Sequence, residues 1–195
     1  MGHSTGAQLM IVHARSGFMR QAVTGYILHS PVSDSDWLQH TVSAEVLASW
    51  AAMDDDDIGI FPGTSLPVPM RAGRMRSLMG DEGAMFSIQA DQNTLTRLLG
   101  HMAHVNVLIL LAGDEEYVPP GYDAIQQLHR LLQSMGRDAS SDAVVQLVGS
   151  TVTGGMSSLG RRNDGAVLTG ANHASEGKEE HVVDRVRQWI GHLVL

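Results

Sequence analysis

Gly2-His3-Ser4-Thr5-Gly6 sets a serine between two glycines in a G-x-S-x-G spacing. Such a spacing suits a nucleophile held on a sharp turn from a strand into a helix. Small residues on either side let the chain double back, so the hydroxyl stands exposed. The helix that follows aims its first N–H groups at a developing oxyanion. Here the helix half of that context is present. The strand half is expected to be missing, because a single residue precedes the motif. Taken alone, the five residues also read as a glycine-rich flexible terminus.

Two further groups could complete the chemistry. Gly113-Asp114-Glu115-Glu116-Tyr117-Val118-Pro119-Pro120 follows the most apolar run of the chain. In a parallel sheet, functional loops leave the carboxyl ends of strands, and an acid there can orient and charge-stabilise a histidine. A solvated acidic turn is the competing reading. Ala171-Asn172-His173-Ala174-Ser175 follows another short apolar run, which makes His173 the best placed of ten histidines for a general base. His13, His101, His129 and His192 fall in expected helices and read as surface or packing residues. His3 lies inside the turn, where its backbone should matter more than its ring.

These groups need elements to carry them. Residues 7–15 read as a short buried helix, and 22–29 (AVTGYILH) as a buried strand ended by Ser30-Pro31. Ser33 or Asp34 can cap a helix to about Met53, with Trp37, Val42, Val46 and Trp50 at helical spacing. Residues 58–90, with Pro62, Pro67 and Pro69 and several glycines, read as irregular with short helices. Asp91 caps a helix to about Met102. VNVLILLA, 105–112, is the clearest buried strand, and 122–135 an amphipathic helix stopped by Gly136. Residues 137–163 stay ambiguous between strand and helix. AVLTGA, 166–171, is a short strand, and 179–195 a closing helix with Val182, Val186, Trp189 and Ile190 on one face. Alternating strands and helices argue for an α/β fold with a parallel sheet, and the continuous apolar strands suit a sheet covered on both faces. Residues 58–104 are expected to form an excursion above it.

The composition narrows the function. The chain has 195 residues, 43% hydrophobic and 17% charged, which supports one packed domain or part of a larger one. Thirteen basic against 21 acidic residues give a net charge of −8, against a general affinity for nucleic acid or anionic lipid. No cysteine is present, so a thiolate nucleophile or a Cys-based zinc site is excluded. No apolar run approaches the ~20 residues that cross a bilayer, and a signal peptide is not recognisable. A cytoplasmic protein without cofactor is the expectation. The aspartate run 54–57 lacks the spacing of a calcium loop. Met70, Met75, Met79 and Met85 could line an apolar pocket or simply pack. Arg71, Arg74 and Arg76 could meet an acidic substrate or be solvated.

The order serine, acid, histidine, each at the end of an expected strand, is that of α/β-hydrolases. The chain resembles the α/β-hydrolase family that includes the fungal fusarinine C (siderophore) esterases. The matching stretches are GHSTG with Gln8, QAVTGYILHSPVSDSDW (21–37), LPVPMRAGRMRSL (66–78), GDEGAMFS (80–87), LILLAGDEEYVPP (108–120) and GANHAS (170–175). The resemblance implies an α/β-hydrolase fold, with 38–104 supplying much of a lid. It implies Ser4 as nucleophile, His173 as base and the Thr5 backbone as half of an oxyanion hole. The family pattern puts its acid three residues before the valine of the Tyr-Val-Pro run, which is Glu115; the neighbouring Asp114 is the alternative. The implied reaction is carboxylic ester hydrolysis through an acyl-enzyme, with a small-molecule hydroxamate siderophore ester as candidate substrate. No nucleic acid, membrane, metal or cofactor partner is implied.

About five strands precede the serine turn in hydrolases of this fold. The chain is therefore expected to be the C-terminal part of a hydrolase of roughly 300 residues, with an exposed apolar sheet edge. A non-catalytic remnant or binding module is the rival from another class. A nucleotide-binding reading fails, since neither G-x-G-x-x-G nor a P-loop occurs.

Overall fold

A computed structural model describes residues 1–63, 66–137, 144–148, 151–153 and 163–193. Its centre is the run that sequence marks most strongly. Asn106–Ala112 (β5) is a strand whose last six residues are all buried. It lies between Gly25–His29 (β2) and Asn163–Leu168 (β8), parallel to both. Gly2–His3 (β1) adds to the free side of β2, in parallel, with Gly2 opposite Leu28 and His3 opposite His29. Val144–Val148 (β6) lies parallel to β8 on its other side, and Thr151–Thr153 (β7) pairs antiparallel with β6. The sheet order is β1-β2-β5-β8-β6-β7.

β1 corrects one expectation: the strand half of the serine turn is present, though only two residues long. Hydrogen bonding to β2 is enough to set its direction. It also settles part of the ambiguous stretch, since 144–148 and 151–153 are strand. Residues 64–65, 138–143, 149–150, 154–162 and 194–195 lie outside the described residues.

The parallel strands alternate their side chains between two apolar layers, as a pleated strand must. Tyr26, Leu28, Val107, Ile109, Leu111 and Val167 face one layer. There they meet Thr5–Ser16 (α1), Gln92–Leu99 (α5) and Ala124–Ser134 (α6), through residues such as Ile11, Leu99 and Leu128. Ile27, Leu108, Leu110, Ala166 and Leu168 face the other, against Val182 and Trp189 of Glu179–Leu193 (α7). Each such Leu or Ile buried contributes about 1.5–3 kcal/mol. Ile190, placed on the buried face of α7 by spacing, is 46% exposed. The stripe is 182, 186 and 189, and one residue more turns away from the sheet.

Residues 37–79 hold a small core of their own. The single helix expected from 34 to 53 is two, Asp34–Thr41 (α2) and Ala44–Ala52 (α3). Ser33 caps the first through Asp36 N–H, and Ser43 caps the second through Val46 N–H. Ile58–Ile60 (β3) and Pro69–Arg71 (β4) pair as an antiparallel ribbon where irregular structure was expected. Ala72–Met79 (α4) follows. Leu38, Trp50, Ala72, Met75 and Leu78 pack together inside this unit. Asp91 caps α5 as expected, accepting from Thr94 N–H at 2.7 Å.

Candidate active site

Because β1, β2, β5 and β8 run parallel, the loops that follow them emerge at one edge of the sheet. Those loops bear Ser4, the segment Ser30–Ser33, Gly113–Tyr122 and Thr169–Lys178. They are laced together by backbone. Ser30 N–H reaches Leu110 O at 2.8 Å, Gly113 N–H reaches Leu168 O at 3.0 Å, and Asp114 N–H reaches Ala171 O at 2.9 Å.

Ser4 sits between β1 and α1 at φ 56° and ψ −128°. A side-chain-bearing residue pays of order 1–3 kcal/mol for such a backbone. Two hydrogen bonds hold it there: Ser4 N–H to His29 O at 3.0 Å, and Ala7 N–H to Ser4 O at 2.9 Å. Gly2 makes the turn sterically feasible. A Cβ on Gly2 would stand 2.2 Å from the Gly6 carbonyl oxygen, whereas a Cβ on Gly6 would meet nothing within 4 Å.

On the far loops, Glu115 and His173 are joined. His173 Nδ1 donates to Glu115 Oε2 at 2.8 Å, with the carboxylate side chain 2% exposed and the imidazole 11%. A buried carboxylate on Nδ1 selects the tautomer that leaves Nε2 as acceptor. His173 N–H is also bound, by Glu116 Oε2 at 2.8 Å, and Tyr117 packs edge-on to the ring at 4.7 Å. Asp114, the alternative acid, is exposed on the outer side of the loop. Ser4 and His173 line one cavity of about 280 Å³, together with Val32, Asp34, Trp37 and Tyr117.

Three imidazoles form a row that ends at the cavity-lining His173. The His3 ring lies 4.8 Å from that of His29 and 4.7 Å from that of His173. His3 was expected to matter more through its backbone than through its ring, but the ring is engaged too: its Nε2 donates to His173 O at 2.9 Å. His29, buried at the end of β2, bonds Ser175 Oγ through Nε2 at 2.9 Å. Burial, and then the neighbouring His3 and His173, push its pKa down to about 4. Asp34 shifts the opposite way for a carboxyl: burial raises it, partly offset by a hydrogen bond from Gln8 and by the charge of Arg74.

Sequence reasoning had used Asp34 and Trp37 only as a cap candidate and a helix-face residue. The strand-end rule that marks the acidic loop 113–120 also applies to them, since both follow the carboxyl end of β2. The three arginines near the excursion are internally engaged: Arg71 with Asp56, Arg74 with Glu82, and Arg76 with Asp55. Two of the four clustered aspartates are thus ion-paired. Met75 and Met85 are core residues, and none of the four methionines lines the Ser4 cavity.

Similarity to known proteins agrees with this architecture. A Schizosaccharomyces pombe protein, UPF0613 protein PB24D3.06c, is 24% identical over 169 residues, which span 76% of this chain and 54% of that protein. The siderophore hydrolase EstB from Aspergillus fumigatus superposes with a TM-score of 0.68 at 21% identity, covering 99% of this chain and 65% of EstB. A soluble variant of monoglyceride lipase from Saccharomyces cerevisiae gives 0.62 at 12% identity, covering 98% and 64%. The chain thus spans about half the length of the curated relative and just under two thirds of each solved protein. The parallel sheet and these superpositions identify an α/β-hydrolase fold. The family described as "Protein of unknown function (DUF1749)" matches residues 1–190, and the chain belongs to it.

Proposed function

We propose that the protein is a serine ester hydrolase. The observation that carries this is the buried Glu115–His173 pair, bonded at 2.8 Å and opening onto the cavity that Ser4 also lines. In this reading Ser4 Oγ attacks the ester carbonyl while His173 Nε2 takes its proton. The tetrahedral oxyanion is met by the Thr5 N–H at the start of α1, one half of an oxyanion hole. Collapse expels the alcohol, protonated by His173, and leaves an acyl-enzyme. Water, deprotonated by the same imidazole, attacks that ester and releases the acid. Glu115 keeps the imidazole oriented and stabilises its transient positive charge.

The neighbours are described as a siderophore hydrolase and a monoglyceride lipase. Together with the sequence resemblance, they support a small-molecule ester as substrate. A hydroxamate siderophore ester, in cytoplasmic iron release, is the leading candidate. Residues 38–79 act as lid and pocket wall in this reading, narrower than the expected 38–104 because Met85, Phe86 and the helix 92–99 pack against the sheet. No described helix is long and apolar enough to cross a membrane.

The test is covalent labelling with a fluorophosphonate. Labelling that disappears in Ser4→Ala and in His173→Ala supports a hydrolase. Folded protein that never labels supports a binding module of the same fold. Release of monomers from a hydroxamate siderophore ester, followed by chromatography against a monoacylglycerol, then ranks the substrates.

A further inference from the structure

The Ser4 cavity holds a charged group that the triad does not use. Asp34 opens α2 and lines the same space as Ser4 and His173. Gln8, one turn into α1, donates from Nε2 to Asp34 Oδ2 at 2.9 Å and to Val32 O at 3.2 Å. One carboxylate oxygen is thereby fixed, and among the described residues Oδ1 takes no hydrogen bond. One cation, Arg74, is near enough for its charge to act on the Asp34 carboxyl, yet it makes no hydrogen bond to it. Arg74 is bound to Glu82 and Ser77, while Arg71 and Arg76 are paired with Asp56 and Asp55.

Beside Asp34 stands Trp37, stacked on Phe61 with ring centroids 5.9 Å apart and 20° between planes. Gly63 closes on its edge, where a Cβ would come 2.6 Å from the indole. Tyr117 completes the wall. A fixed carboxylate with two aromatic rings in one cavity is the chemistry that takes a cation, by charge and by the negative faces of the rings. Burial holds the Asp34 carboxyl above its usual range despite the Gln8 hydrogen bond and the Arg74 charge, so ionising it is costly, and a ligand cation relieves that cost. The net charge of −8 biases encounter in the same direction.

We infer that Asp34, with Trp37 and Tyr117, forms a subsite for a positively charged group of the substrate, and that the protein selects esters bearing an ammonium near the scissile bond. This rests on the ester-hydrolase reading for its substrate, but not for its binding chemistry. Two measurements keep them apart. The first is hydrolysis of a matched pair, the p-nitrophenyl esters of 6-aminohexanoate and of heptanoate. The wild type should favour the cationic ester at least tenfold in kcat/KM, and Asp34→Asn should cut that ratio about tenfold. Added salt should lower the wild-type ratio. A wild-type ratio near one, or a ratio unmoved by Asp34→Asn, overturns the subsite.

The second measurement needs no turnover. Hexylammonium and hexanol are titrated into Ser4→Ala protein by calorimetry, with and without Asp34→Asn. Tighter binding of the ammonium, lost in the Asn variant, supports the subsite even where no ester is hydrolysed. Equal binding of both overturns it even where esters are hydrolysed. Should Asp34→Asn fail to fold, the wild-type ester ratio and the Ser4→Ala titration still decide.

Discussion

The imidazole of His3 is bonded to the backbone of His173: Nε2 donates to the carbonyl at 2.9 Å, across 170 residues of sequence. The residue before the candidate nucleophile therefore helps hold the loop that carries the candidate base. A neutral hydrogen bond of this kind contributes about 0.5–1.5 kcal/mol net. If the loop is held for the transition state, that translates to about 2- to 12-fold in kcat. His3→Ala should lower kcat in that range with little change in KM, and His3→Gln, which keeps a donor, should recover part of it. Equal kinetics for the two variants would show that the contact only fills space.

Glu115 and Asp114 are adjacent in sequence but not in role. Only Glu115 reaches the His173 ring, while Asp114 faces solvent. Replacing the acid with its amide in a serine-protease triad costs about 10⁴ in kcat, because the imidazole takes the wrong tautomer. Glu115→Gln is expected to lose about 10²–10⁴ in kcat, and Asp114→Asn less than threefold. Steady-state kinetics on a p-nitrophenyl ester check both. The opposite ranking would move the acid to Asp114.

Much of this was legible before any coordinates, and the exceptions share a cause. The run 106–112 is apolar enough to be a strand in any context, so its place at the centre followed. Strand ends marked Ser4, the acidic loop 113–120 and His173, while the choice of Glu115 within that loop came from the family resemblance. The ribbon β3–β4 was missed because Pro67 and Pro69 read as breakers; in a two-stranded ribbon a proline can sit where no ladder N–H is needed. The break at Ser43 was missed because Trp37, Val42, Val46 and Trp50 keep helical spacing across it. The His3 ring and Asp34 depend on partners far away in sequence, or on which way a helix start faces, and neither leaves a local pattern.

His29 should make stability depend on pH. Its folded pKa of about 4 lies below the ordinary imidazole value of 6.5, so the unfolded chain binds the proton more readily. Its contribution is therefore intact above about pH 6.5 and is lost as pH falls from there towards 4. The slope is at most about 1.4 kcal/mol per pH unit, and less to the extent that solvent screens the ring. Asp34, whose pKa is raised in the fold, acts oppositely, gaining stability as pH falls through its own range. The diagnostic is thus a difference: urea midpoints of wild type and His29→Gln between pH 4.5 and 7.5. The variant should show the flatter curve, and parallel curves would remove His29 as the source.

The two glycines of the serine turn should differ sharply. Around Gly2 a methyl would meet backbone atoms, the Gly6 oxygen at 2.2 Å and the Ala7 nitrogen at 2.8 Å, and neither can swing away as a side chain could. Gly2→Ala must push β1 from α1, and overpacking of this kind costs about 1–3 kcal/mol or more. It should also disturb the Ser4 backbone, so fluorophosphonate labelling should fall with stability. Gly6 has open space around its Cβ position and lies in the first turn of α1. Alanine there also reduces the freedom of the unfolded chain, which stabilises by about 0.4–1 kcal/mol. Gly6→Ala should therefore keep or raise the melting temperature while labelling persists. Thermal unfolding of both variants, read beside the labelling rate, separates a turn that needs its first glycine from one that needs both; a Gly6→Ala protein as unstable as Gly2→Ala would overturn the asymmetry.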